Sequence, residues 1–371
     1  MAQATNFGFD EEVRMLKDAA RRFFDEKETL NQLRPQIEGT EDPHISGQRP
    51  GWFAADDWQE IVQLGWHLLA VPENADGIGM GLVAAVAVQE EVGRAAAPTP
   101  LTSTLQATFV LREAEATEQL KLIAAGQSMA LAVHGKEGSL KADSTDVTVQ
   151  NGSLTGTSWY VQDADKVDGY IVSAKDANGE VGLYHVDRTD VHLSPDRIVD
   201  LTRDQARLTF ADTQAQEIIA PGQGAPTLSR AWPAVLTLLA ADMAGAAEWQ
   251  LQATAEYAKV RTQFDRPIGF FQAVKHPIVN MMIAVDEARS LVYNAACAWD
   301  SDPEDALRTA LLAQSSASDC ASFCSNRSTQ LHGGIGFTWE SDVQIYHKRQ
   351  MHSQFLFGDA SWHREQLAEL L

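Results

Sequence analysis

The amino-acid sequence predicts an α+β fold in three zones: an N-terminal α-helical domain, a middle antiparallel β domain of barrel or sandwich type, and a C-terminal four-helix bundle. Apolar residues recur at helical spacing up to about residue 126, alternate with polar ones between about 128 and 220, and return to helical spacing from 229 onward. A chain of 371 residues is also long for one ordinary core. Domains are therefore expected at 1–126, 127–225 and 226–371.

In the first zone Val13, Leu16, Ala20, Phe23 and Phe24 mark an amphipathic helix over residues 10–38. Further helices are expected at 56–66 and 82–94, separated by the Pro/Gly-rich loop VPENADGIGMG, and then up to Gly126 with Pro98 and Pro100 as punctuation. In the second zone Val147 and Val149 alternate with polar residues, and Asn151-Gly152 and Asn178-Gly179 are hairpin signals, the latter preceding the alternating run VGLYHV. After the loop PGQGAP, helices are expected at 229–261, 272–298, 305–332, 341–355 and 361–371, with short connections that suit a bundle.

A formal net charge of -22 argues against nucleic acid, which calls for a basic face. Cys297, Cys320 and Cys324 are too few and odd in number for a disulfide framework and read as small core residues of a cytoplasmic protein. The opening MAQATNFGFDEE is polar and acidic, unlike a secretory leader. The apolar run 234–247 is interrupted by Asp242 and falls short of the roughly 20 residues that span a bilayer, so no membrane is expected.

Generic motifs are missing. GIGMG at 77–81 lacks a preceding strand and a final glycine, and GGIGF at 333–337 follows a helix, so a Rossmann site is not expected. Without a P-loop, H-E-x-x-H or C-x-x-C, neither nucleotide hydrolysis nor a metal site has a foothold. His352 and His363 read as surface or interface groups.

Two longer segments are more telling. YAKVRTQFDRPIGFFQAVKHPIVNMM (257–282) is similar to the R-x-x-F-G-x-x-I…F/H-Q…A-x-M segment of the flavin-dependent acyl-CoA dehydrogenase family, and QLHGGIGFTWESDVQIYHKR (330–349) to its Q-x-x-G-G-x-G segment. Residues 58–81 and EEVGR at 90–94 resemble the family more weakly. The resemblance implies that family's architecture and FAD, held partly by groups reaching across a subunit interface. Arg261 would then meet the pyrophosphate, Phe264 would pack on the rings, Gln272 and Gln330 would hydrogen-bond them, and Gly333 and Gly334 would let the backbone come close. Read without the family, Arg261 is a cation at a helix end and the glycines a helix C-cap.

The resemblance also exposes departures. Desaturating an acyl thioester needs a base for the α-proton, supplied in the family by a glutamate late in the chain; ungapped alignment from Gln330 puts Phe357 there. The alternative site on the first long C-terminal helix falls at about Val235, and Asp359 is the remaining weak candidate, so no catalytic residue is assigned. The family's T-E-P-x-x-G-S-D, which holds the flavin ring and thioester, corresponds to ALAVHGKEGSL (130–140), with only Gly138 and Ser139 kept. Its W-x-T becomes Tyr160-Val161-Gln162.

The combination implies the non-catalytic member of a heteromeric actinobacterial steroid-type acyl-CoA dehydrogenase. An α2β2 assembly is expected, with a second dehydrogenase subunit bearing the glutamate, a bulky acyl-CoA as substrate and an electron-transfer flavoprotein as acceptor. A homotetrameric dehydrogenase with a relocated base and a flavin-free acyl-CoA binding or regulatory protein are the rival readings.

Overall fold

The structure is a computed structural model and describes residues 5–38 and 55–370. Residues 1–4, on which part of the leader reading rests, and Leu371, the end of the last expected helix, lie outside the described residues. Asp10 opens α1 (Glu11–Lys27) by accepting a hydrogen bond from the Val13 N–H at 3.0 Å. The single helix expected over 10–38 is broken at Glu28, whose φ of 47° is left-handed, and the chain resumes as α2 (Thr29–Glu38). Next come α3 (Ala55–Gln63), α4 (Leu82–Arg94), α5 (Leu101–Glu113) and α6 (Thr117–Ala124).

Every residue of α4 is buried, which explains why its sequence has so little polar face. Its first two N–H groups bond Asp300 at 2.8 and 3.1 Å, a cap supplied from a distant helix. Burying Glu90 and Glu91 demands partners. Lys17, Arg289 and the Tyr293 hydroxyl surround Glu90; Arg21 forks onto Glu91, and Arg94 donates one further bond to it. Burial works to raise the Glu90 carboxyl, but Lys17 and Arg289 hold it down at about 2. The EEVGR segment is thus an ionic tie between the N-terminal helices and the bundle.

The strands are β1 (Met129–Ala132), β2 (Val147–Gln150), β3 (Ser153–Gln162), β4 (Gly169–Lys175), β5 (Val181–Asp187), β6 (His192–Pro195), β7 (Gln205–Gln214) and β8 (Gln216–Ile219). They form one eight-stranded sheet in the order β6-β7-β3-β2-β4-β5-β8, with β1 paired to β4. The expected hairpin turns join β2 to β3 and β4 to β5. The sheet is mixed where an antiparallel one was expected: β1 runs parallel to β4, and β2 meets β4 in parallel at one residue pair. Two strands, β2 and β3, separate β1 from its partner in sequence, so alternation within each strand gives no clue to the pairing direction.

Helices resume with α7 (Gly224–Val260), then a small hairpin of β9 (Thr262–Gln263) and β10 (Arg266–Pro267), followed by α8 (Gln272–Ser301), α9 (Ala306–His332), α10 (Val343–Ser353) and α11 (Ala360–Glu369). The first of these starts five residues before the expected Ser229 because Pro226 falls in its first turn, where the missing N–H costs no helical bond. Gly245 of α7 sits against α4 so closely that a Cβ there would collide with the Glu90 carbonyl. Deep in the bundle Asp242 pairs with Arg203 and Arg349, tying the segment after β6 to α7 and α10. All three cysteines are buried and free, and the Cys320 and Cys324 sulfurs lie 3.9 Å apart on α9.

Candidate functional site

A cavity of about 890 Å³ opens between the sheet and the bundle. One wall is the loop after β1, with His134, Gly138, Ser139 and Leu140. The opposite wall is a face of α7 carrying Leu228, Trp232 and Leu236, and the segment linking α10 to α11 closes it with Phe355, Phe357 and Asp359.

Phe357 adopts φ 58°, a left-handed conformation uncommon for a bulky residue, which turns its ring toward the other aromatics. The ring lies 5.2 Å from Trp232 and 5.5 Å from His134, and those two are 5.8 Å apart. A planar group inserted between two such rings needs about 3.5 Å on either side, roughly 7 Å in all. The three rings are in mutual contact at this spacing, so no planar group stands between them. Burial pushes His134 down to about 4, so its ring is neutral, and Nε2 is buried without a hydrogen-bond partner among the described residues.

Val235 is fully buried and does not line the cavity; its carbonyl accepts from Gln106 at 3.2 Å. Asp359 does line it, yet its Oδ1 accepts the Trp362 N–H at 2.8 Å and caps α11. The histidines near the chain end need correcting. His363 is fully buried, held low at about 4 by burial, with Nε2 at 3.2 Å from the Gly358 carbonyl. His352 is half-buried in the cavity wall, its Nε2 at 3.3 Å from Gln162. Sequence reasoning missed Trp232 and His134 as well. Trp232 shares an α7 face with Leu228 and Leu236, but that spacing reads equally as ordinary core.

The expected FAD contacts lie elsewhere and lie together. Arg261 follows the last residue of α7, its N–H bonded to Tyr257 at 2.9 Å, and its side chain has no hydrogen-bond or ionic partner among the described residues. The β9–β10 hairpin turns through Phe264 and Asp265, both at positive φ as a two-residue turn requires, leaving Phe264 85% exposed. Gln272 begins α8, Gln330 is in the last turn of α9, and Tyr257 stacks on His332 at 4.4 Å, joining the ends of α7 and α9. Gly333 caps α9 at φ 63°, so its C-cap role holds. A Cβ on Gly333 or Gly334 would meet nothing of this chain within 4 Å. Arg261, Phe264, Gln272, Gln330, Gly333 and Gly334 are all exposed. An exposed cation, two amides, a bare aromatic ring and open backbone are a donor set that fits a dinucleotide arriving from outside the chain.

Among the described residues no helix is long and apolar enough to cross a membrane. Comparison with known proteins accords with this architecture. Residues 10–126 match the acyl-CoA dehydrogenase N-terminal domain and residues 237–371 the C-terminal domain. Acyl-CoA dehydrogenase IpdE2 of Mycolicibacterium smegmatis is 33% identical over 83% of this chain and 84% of its own length. A solved Tcur3481-Tcur3483 steroid ACAD variant superposes with a TM-score of 0.84 at 28% identity, covering 97% of each chain. The ChsE4-ChsE5 complex from Mycobacterium tuberculosis shares the fold, with a TM-score of 0.85 at 23% identity over 98% of each chain. The chain belongs to the acyl-CoA dehydrogenase family, whose proteins bind FAD.

Proposed function

We infer that this chain is the non-catalytic subunit of a heteromeric acyl-CoA dehydrogenase, lending nucleotide-binding groups to a flavin seated in a glutamate-bearing partner. The observation that carries this is the split between its two regions. The six expected FAD contacts stand exposed at one end of the bundle, while Phe357 packs against Trp232 and His134 where a base and a flavin ring would otherwise meet. In a symmetric homo-oligomer both sets serve the same site and would decay together. Similarity at 28% to a steroid ACAD named for two gene products supports the pairing and a bulky acyl-CoA substrate. An α2β2 assembly delivering electrons to an electron-transfer flavoprotein follows from the same reading, as do functional units at 1–126, 127–225 and 226–371.

FAD would supply the hydride acceptor. This chain's residues would only hold it: Arg261 fixes the pyrophosphate, Gln272 and Gln330 orient the rings, and Phe264 covers them from water. Co-expression with the partner should yield a yellow complex with about one flavin per two chains. Arg261→Ala should lower flavin retention in that complex by about 10- to 100-fold, the worth of a charge-assisted hydrogen bond. Unchanged flavin content on this substitution would refute the clamp, and a lone chain that is yellow and bleaches with an acyl-CoA would establish the homotetramer instead.

A further inference from the structure

A polar ladder joins α7 to α9 just below the exposed flavin contacts. Gln250, Thr254 and Tyr257 recur at helical spacing on α7, and Ser325, Ser328 and His332 on α9, so each set shares one face of its helix. All are buried except Tyr257, which is half-buried. The first rung is reciprocal: the Gln250 Nε2 donates to Ser325 Oγ at 3.2 Å, and the Ser325 hydroxyl faces Gln250 Oε1 at 3.3 Å. In the second, Thr254 spends its one hydroxyl hydrogen on the Gln250 carbonyl at 2.6 Å, so Ser328 is the donor in the 2.9 Å bond between the two hydroxyls. In the third, the Ser328 carbonyl can only accept, so His332 Nδ1 carries the hydrogen at 2.8 Å, and the imidazole stacks on Tyr257 at 4.4 Å. Burial lowers the His332 pKa, which favours the neutral ring that this stack contains.

Elsewhere the core that these helices share is built from small apolar side chains, with Ala240 and Ala247 from α7 and Ala313, Ala317 and Ala321 from α9. Methyl contacts are non-directional and resist sliding or rotation weakly, whereas the ladder is satisfied in one register alone. It ends where the flavin contacts begin. Arg261 lies one turn beyond Tyr257, Gly333 directly follows His332, and Gln330 precedes it by two residues.

We propose that Thr254, Ser328 and His332 are positioning residues for flavin binding, fixing the height and rotation at which α7 presents Arg261 against Gln330 and Gly333 of α9. This rests on the reading of Arg261 and Gln330 as groups lent to a partner's flavin.

The rate of flavin release from the co-expressed complex, measured beside its urea unfolding midpoint, tests it. Thr254→Val combined with Ser328→Ala removes both partners of one bond, so no buried group is left unsatisfied and the midpoint should hold. Flavin should leave about three- to tenfold faster, up to the net worth of the bond that held the register. Thr254→Ser keeps the hydroxyl and should match the parent. With Arg261→Ala already in place, the ladder variant should add little, because the group it positions is gone. Should the double variant not assemble, His332→Phe keeps a ring on Tyr257 but loses the bond to Ser328, and should quicken release about twofold at an unchanged midpoint. Release that rises only in step with a falling midpoint, a Thr254→Ser complex as leaky as the double variant, or effects strictly additive with Arg261→Ala would overturn the positioning role. An Arg261→Ala complex that keeps its flavin would instead overturn the clamp on which that role rests.

Discussion

Acidification should loosen this protein well above the carboxylate range, and the size of the effect follows from two histidines. His134 is 8% exposed and His363 fully buried, and burial lowers each from 6.5 to about 4. Below about 6.5 the unfolded chain takes up protons that the folded chain refuses until about 4, so stability is lost as pH falls through that window. At about pH 5.5 each group has cost about 1.4 kcal/mol, and the pair about 3 kcal/mol, a large part of a typical domain's 5–15 kcal/mol. His352, also lowered by burial to about 4, adds a loss of the same size, and His67, His185 and His332 are displaced the same way by burial and add to the slope. Asp163 and Asp300, pushed up by burial, act oppositely as pH nears the carboxylate range. Glu90, held at about 2 by Lys17 and Arg289 against its burial, contributes a loss only below about 4.5. Urea unfolding at a series of pH values, monitored by tryptophan fluorescence, measures the slope directly. His134→Phe should flatten it between pH about 6.5 and about 4 by up to about 1.4 kcal/mol per pH unit. Stability that is level from pH 7 to 5, or a slope untouched by that substitution, would refute the neutral-imidazole argument.

Asp359 can be tested as cap against base with two substitutions. Asp359→Asn keeps a good N-cap and should leave stability and any turnover of the complex unchanged, while Asp359→Ala should cost about 1 kcal/mol in thermal or urea unfolding. Turnover lost with asparagine but stability kept would make Asp359 the base. Gly245→Ala drives a methyl into the Glu90 carbonyl where α4 and α7 touch, and should destabilise by about 3 kcal/mol or more in the same assay. A variant as stable as the parent would mean that the two helices separate freely.

The extent of legibility differed by residue. Helical zones and hairpins were visible because the 3.6 and 2 residue periods are local properties of the chain. The break at Glu28 was not, since nothing in the helical pattern of residues 10–38 marks a left-handed turn there. His352 and His363 looked like surface groups because a polar side chain in an amphipathic helix usually is one; which face is covered depends on α9, the sheet and the loop after β1. Val235 could be placed on α7, but that it stands off the cavity wall while Trp232 lines it follows only from how the helix is rotated against the sheet.

By itself the sequence determined the order of the zones, the family through its two C-terminal segments, and the identity of the side chain at Phe357. Tertiary structure alone decided that Phe357 closes on Trp232 and His134, that Arg261 through Gly334 converge on one exposed end, and that hydrogen bonds from Gln250 to Ser325 and from Ser328 to Thr254 register α7 against α9. The reason is range: periodicity and turn chemistry act between residues a few positions apart, whereas a cavity wall is made by residues more than 200 positions apart, whose separation only packing sets.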